Sequence, residues 1–208
     1  MIELKNCKKI YKNGNIGLEN VSVIFPATGL IGIYGKSGSG KSTLLNCLGG
    51  LDKFTDGKII FNQEECKSLE DYSTYIFQEY KLIEELSVID NLKIAMPDAA
   101  MDNIDKLLER FNILHLKENK INAISGGQRQ RVEVIRALLQ DASILLCDEP
   151  DASLDDENKY KIFSALKDYS TDKLILVVSH NREFLKEYAD AYICLLYTSP
   201  SPRDPKTS

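Results

Sequence analysis

The sequence has no long apolar run: the longest unbroken stretch, Ala191 to Tyr197, is seven residues. A helical membrane span needs about 20 residues, so no helix of this chain is expected to cross a bilayer. Closely spaced cysteines are also missing. Cys7, Cys47, Cys66, Cys147 and Cys194 lie 40, 19, 81 and 47 positions apart. Those gaps exclude zinc-knuckle and dithiol redox spacings and leave packing thiols in a reducing cytosol. There is no basic excess: 26 Lys and Arg stand against 31 Asp and Glu, a net charge of −5. No nucleic acid partner is expected from that balance. The opening residues carry Lys5, Lys8 and Lys9 but no apolar stretch, so no secretory signal is visible.

What is present is ordinary for a globular chain: 208 residues, 43% hydrophobic and 27% charged. A domain of that size buries roughly 70% of its unfolded surface and needs no disulfide or metal staple. Four short apolar runs, Leu30–Tyr34, Thr74–Phe77, Ile144–Cys147 and Leu174–Val178, read as strands of a parallel sheet covered on both faces. Between them lie helical spacings, such as Ile104, Leu107, Leu108 and Phe111. Ile2–Leu4, Val21–Phe25 and Lys58–Phe61 read as further strands around turns at Asn13-Gly14 and Asp56-Gly57. The expected fold is α/β, with a mostly parallel core sheet flanked by helices and an antiparallel N-terminal sheet beside it. The expected domain spans 1–194. Residues 195–208 hold three of the six prolines and stand apart in composition. They read either as a disordered tail or, in LLYTSPSPRD, as a translated sequencing adapter, in which case the native protein diverges near Cys194.

Gly35-Lys36-Ser37-Gly38-Ser39-Gly40-Lys41-Ser42 fits the P-loop pattern G-x-x-x-x-G-K-S. Glycines let backbone N–H groups wrap a polyanion, Lys41 adds a cation for the terminal phosphates, and Ser42 offers a hydroxyl to Mg²⁺. Thr43 to Leu51 is expected to form the helix whose N-terminal dipole faces the phosphates. Ligands of open parallel sheets bind at the strands' carboxyl ends. The other three apolar runs end in Gln78, in Asp148-Glu149 and in Ser179-His180. If these strands are neighbours, Asp148 holds Mg²⁺ and Glu149 orients and deprotonates an attacking water. Gln78 would reach the metal or that water, and His180 the γ-phosphate. Taken singly, Gln78 reads more readily as loop chemistry, His180 as a structural histidine, and Asp148-Glu149-Pro150 can be a turn opening a helix; the conjunction carries the expectation.

Ser125-Gly126-Gly127-Gln128 precedes a helix with Val132, Ile135, Leu138 and Leu139 on one face. Ser125 with Gln128 makes a capping box, but capping does not call for the Gly126-Gly127 pair, which costs about 1 kcal/mol per residue in a helix. A bare glycine-rich helix N-terminus is a second anion site, suited to a nucleotide held by another copy.

With these motifs the chain resembles the ATP-binding subunit of an ABC transporter over roughly residues 1–194. The resemblance makes Gly35–Ser42 the Walker A motif, with Thr43 beside it, and Gln78 the Q-loop. It makes Ser125–Gln128 the signature, Asp148 the Walker B aspartate and Glu149 the catalytic carboxylate. Ala152-Ser153-Leu154-Asp155 becomes the D-loop and His180 the switch histidine. Tyr11 falls where the family stacks an aromatic on adenine; without the family it reads as a surface strand aromatic. The resemblance implies a head-to-tail homodimer burying two ATP with Mg²⁺. It also implies a separate or fused membrane permease, contacted through a helical subdomain at about 80–140, and a peripheral place on the cytoplasmic face of the membrane. GKSGSGKSTLLNCLGGLD and FQEYKLIEELSVIDNL resemble most the lipoprotein-release and macrolide-export subclass, hence export of a lipid-linked, peptide or drug-like substrate. Three departures stand out: Ile124 replaces the usual leucine, Asp151 follows Pro150 where a neutral residue is typical, and a C-terminal strand and helix of full-length members are missing. Asp151 is expected to raise the pKa of Glu149 by like-charge repulsion. A regulatory or mechanical ATPase of the cell-division type, a soluble member acting on ribosomes or DNA, and an inactive fragment are the competing readings. A single cassette, with Ser125 only 84 positions after Lys41, argues against the ribosomal and DNA-repair types.

Overall fold

The computed structural model describes residues 1–96, 101–152 and 154–195. Two sheets form the frame. The strands are β1 (Ile2–Ile10), β2 (Ile16–Phe25), β3 (Gly29–Gly35), β4 (Asp56–Phe61), β5 (Glu64–Cys66), β6 (Ser73–Ile76), β7 (Ile144–Asp148), β8 (Leu174–Val178) and β9 (Ala191–Leu195). The helices are α1 (Lys41–Leu48), α2 (Val88–Ala95), α3 (Met101–Arg110), α4 (Gly126–Leu139), α5 (Asp156–Tyr169) and α6 (Arg182–Tyr188). A five-stranded parallel sheet runs β6-β7-β8-β3-β9, and an antiparallel sheet runs β2-β1-β4-β5. This is the expected α/β architecture.

The all-apolar strands are explained by burial on both faces. Along β7 and β8, Leu145, Cys147, Ile175 and Val177 join a core with α2–α6. Their alternates Ile144, Leu146, Leu174, Leu176 and Val178 join a second core with α1 and the antiparallel sheet. Side chains of a strand alternate between faces, so each residue of these runs has an apolar partner layer.

Several boundaries differ from the sequence reading. The helix after the P-loop is Lys41–Leu48, not Thr43–Leu51. It starts directly at Gly40 and ends at Gly49, and Gly50 takes a φ of 76°, which a helix cannot contain. Asn13-Gly14 does form the turn between β1 and β2, whereas Asp56-Gly57 opens β4 instead of turning. Gly57 has φ 93°, and a Cβ there would lie 2.5 Å from the Cys7 Cα, opposite a register shift in β1. Its role is close approach of two backbones. Phe111 continues the apolar stripe of α3 but lies beyond its end. Asn112, at φ 56°, closes the helix while Ile113 N–H bonds to the Leu108 carbonyl. Strand β5 was not expected because it is short and polar. Strand β9 lies inside the run Ala191–Tyr197, too short for a membrane but long enough for an edge strand. Of the expected tail, 195–208, all but Leu195 lies outside the described residues; Leu195 closes β9 and is buried.

Leu176 sits mid-strand in β8 and is fully buried between the two layers. Leu176→Ala is expected to lower the free energy of unfolding by about 2–5 kcal/mol, read by urea titration with an unchanged slope.

Candidate functional site

The strand order puts β6, β7, β8 and β3 side by side, so their carboxyl ends share one sheet edge. The P-loop leaves β3, Gln78 follows β6, Asp148 is the last residue of β7, and Ser179-His180 follow β8. Their neighbourhood, a condition in the sequence reading, is met. A cleft of about 510 Å³ opens there. It is lined by Tyr11, Gly17, Ser37, Gly38, Gly40, Lys41, Ser42, Thr43, Gln78, Glu149 and His180 together with Ile16.

The P-loop owes its shape to backbone that only glycine takes easily. Gly38 and Gly40 have φ of 76° and 90°, and a Cβ on Gly40 would meet the Gly17 carbonyl oxygen at 2.2 Å. Gly40 has no side chain with which to cap α1, and no acidic residue occupies its first turn. The first N–H groups and the positive end of the helix are therefore available to an anion. Lys41 is buried, and its Nζ donates to the carbonyls of Gly35 and Lys36 at 3.1 Å each. Lys36 also accepts from the Ser39 N–H at 3.1 Å, and the buried Ser39 hydroxyl has no hydrogen-bond partner among the described residues. Tyr11 is 39% exposed at the cleft mouth; its hydroxyl lies 3.2 Å from the Thr43 hydroxyl and its ring beneath the Lys9 ammonium.

Consecutive carboxylates at the end of β7 have different surroundings. Asp148 is buried, its Oδ1 has no hydrogen-bond partner among the described residues, and burial pushes its carboxyl above the usual range. The Ser42 hydroxyl and the Lys41 charge oppose that rise, while the Glu149 charge adds to it. An orphaned buried carboxylate oxygen beside a hydroxyl suits a hard divalent cation such as Mg²⁺. Glu149 has φ 52°, in the left-handed region that costs a non-glycine residue about 1–3 kcal/mol. Its N–H donates to the Val178 carbonyl at 2.9 Å, and its Oε1 lies 2.9 Å from His180 Nε2. Gln78 Nε2 lies 3.4 Å from Glu149 Oε2, so Gln78 meets the second carboxylate and not Asp148.

The signature residues do not line this cleft. Ser125 caps α4: its hydroxyl accepts from the Gln128 N–H at 3.3 Å, and Gln128 Oε1 accepts from the Ser125 N–H at 2.8 Å. The two glycines differ. A Cβ on Gly127 would press on Leu154 Cδ2 at 3.0 Å, a packing reason for a small residue there that the sequence reading did not include. A Cβ on Gly126 would meet nothing within 4 Å. In the following loop Leu154 is buried, Asp155 caps α5 through the Asn158 N–H, and Ser153 lies outside the described residues.

Sequence reasoning missed a second polar cavity of about 460 Å³ on the other side of Glu149 and His180. Asp151, Ala152, Lys159, Asn181 and Arg182 also line it. Of these, Asp151 was singled out for its charge. The structure buries Asp151, and desolvation pushes its own carboxyl up; the Ser179 hydroxyl and the Lys159 charge oppose that rise, and the Glu149 charge adds to it.

Residues 18–152 match the model of the ABC transporter family. The chain is 35% identical over 219 residues to a phosphonates import ATP-binding protein of Halalkalibacterium halodurans, covering 94% of this chain and 85% of that one. It is 35% identical over 204 residues to the methionine import ATP-binding protein of Clostridioides difficile, covering 90% and 63%. Among solved structures, the dimeric post-hydrolysis state of the ATP-binding cassette MJ0796 bound to ADP and Pi superposes with a TM-score of 0.82. That cassette is 31% identical, with 94% of each chain covered.

Folding favours the protonated form of Asp148, so its stabilising effect is present at low pH and is lost as pH rises through its raised pKa. Asp148→Asn keeps the shape without the charge. It is expected to stabilise the ligand-free protein at pH 7 by about 1 kcal/mol, roughly 2–4 °C in Tm. The gain should shrink toward pH 4, which a melting series against pH checks.

Proposed function

Since the chain belongs to the ABC transporter family of ATP-hydrolysing cassettes, we propose that it works as a head-to-tail homodimer, hydrolysing Mg-ATP between its subunits to drive a membrane permease. One observation carries the reading. The chain holds a complete phosphate cradle in its cleft, while its second glycine-rich helix N-terminus lies outside that cleft, with open space at Gly126. A second copy, turned head to tail, brings Ser125–Gln128 to the γ-phosphate and closes the cleft. The dimeric relative bound to ADP and Pi supports this arrangement.

In this reading the backbone N–H groups of Gly38 to Ser42 and the Lys41 ammonium bind the phosphates, with Lys41 leaving the Gly35 and Lys36 carbonyls to do so. Tyr11 offers its ring to the base. Asp148 and the Ser42 hydroxyl would hold Mg²⁺, which when bound offsets charge on the β- and γ-phosphates. Glu149 takes a proton from the attacking water, His180 orients Glu149 and reaches the γ-phosphate, and Gln78 holds the other Glu149 oxygen. With no helix among the described residues able to cross a membrane, work on a solute requires a permease. The chain then sits peripherally at the cytoplasmic face, meeting the permease through the helices at about 80–140. The relatives named for phosphonate and methionine import support uptake of a small polar solute. They do not support the export of lipid-linked, peptide or drug-like substrates expected from the GKSGSGKSTLLNCLGGLD run.

Glu149→Gln removes the base, a loss of about 10² to 10⁴ in hydrolysis, and one negative charge near the γ-phosphate. With Mg-ATP this variant is expected to elute as a dimer in size-exclusion chromatography. Adding Ser125→Arg should return it to monomer by filling the space at the second helix N-terminus. A dimer untouched by Ser125→Arg overturns the shared site. Lys41→Ala is expected to abolish hydrolysis and leave the melting temperature within about 2 °C, since the glycine backbone holds the loop.

A further inference from the structure

The mechanism above leaves unused a buried pair, Asp151 and Ser179, 6% and 1% exposed. The Ser179 hydroxyl donates to Asp151 Oδ2 at 3.0 Å. The Ser179 hydroxyl oxygen accepts from the Asn181 N–H at 2.9 Å. Asn181 in turn caps α6, its Oδ1 accepting from the N–H groups of Glu183 and Phe184 at 3.2 Å each. Between Ser179 and Asn181 stands His180, whose Nε2 meets Glu149 Oε1 at 2.9 Å.

Packing does not fix that contact. The His180 side chain is 61% exposed, and it borders both the cleft and the second cavity, so it has room to rotate on either side. Its backbone is what can be fixed, and the Ser179 hydroxyl ties it. Asp151 lies two residues from Glu149 on the loop after β7, while Ser179 precedes His180 on the loop after β8. One side-chain hydrogen bond therefore ties together the two loops that carry the interacting residues. Burying a carboxylate there costs several kcal/mol unless it is well bonded, so the pair is held firmly or not at all.

We propose that Asp151 is a positioning residue for ATP hydrolysis: through Ser179 it holds the His180 turn at the distance from which the imidazole reaches Glu149. This rests on the roles given to Glu149 and His180 above.

The sequence has two histidines, His115 and His180, so imidazole NMR of the full chain reads the contact with an internal reference. Glu149→Gln marks how the His180 resonances move when the carboxylate is lost. Asp151→Ala and Ser179→Ala are each expected to move them in the same direction and leave those of His115 in place. Asp151→Asn, whose amide oxygen still accepts from Ser179, should leave His180 near its parental position. In ATPase assays, Asp151→Ala and Ser179→Ala should each lower kcat about 10- to 100-fold with KM for ATP within about twofold. Asp151→Ala should cost nothing further when added to His180→Ala. His180 resonances unmoved in both variants overturn the proposal. So do His115 and His180 resonances moving together, or an added loss on the His180→Ala background. The NMR arm needs no turnover, so a parental chain that hydrolyses no ATP counts against the proposed function and not against the coupling of Asp151 to His180.

Discussion

The structure depends on the parallel ladder between β7 and β8, in which Asp148 lies opposite Val178. That register decides the site. One residue beyond it, the Glu149 N–H bonds to the Val178 carbonyl, and the two strands part with Glu149 following one and Ser179-His180 following the other. A shift of one residue would send Asp148 away from the Ser42 hydroxyl and exchange the two core layers, because side chains along a strand alternate. The apolar residues on both faces of β7 and β8 make such a shift expensive, so the register that builds the core also places the carboxylates.

The end of β7 and the loop after it hold three acidic residues within four positions, each under different constraints. Asp148 is buried with one oxygen free, beside a hydroxyl and a lysine. Glu149 sits at a positive φ with His180 and Gln78 on its two oxygens. Asp151 is turned inward to Ser179. Like charges this close would repel in one shared environment; burial, a strained backbone angle and separate partners keep them apart in function. Asp151 was singled out for its charge beside Glu149; the structure adds a side-chain bond from the next loop, at Ser179.

The two glycine-rich helix N-termini contrast in the same way. At α1 the glycines are required by backbone angle and by the Gly17 carbonyl, and the N-terminus is left uncapped for an anion. At α4 the N-terminus is capped by Ser125 and Gln128, Gly127 makes room for Leu154, and Gly126 faces open space. The first is a site within one chain; the second is a surface that a neighbour can approach.

The P-loop, the four strand ends and the capping box were legible in the sequence because each is local: a glycine pattern, an apolar run with its last residue, a serine three positions before a glutamine. The parallel α/β class was legible too, since continuous apolar runs have no other economical place than between two layers. Tertiary structure alone decided what depends on partners distant in sequence. Gly57 turned out to serve an approach to Cys7, Gly127 a contact with Leu154, and Asp151 a bond to Ser179, 28 residues away. The edge strand β9 likewise exists because β3 offers it a ladder. Short motifs report the chemistry a backbone segment can perform by itself. Which carboxylate faces which loop is set by strand register and burial, and these arise only when the whole sheet has assembled.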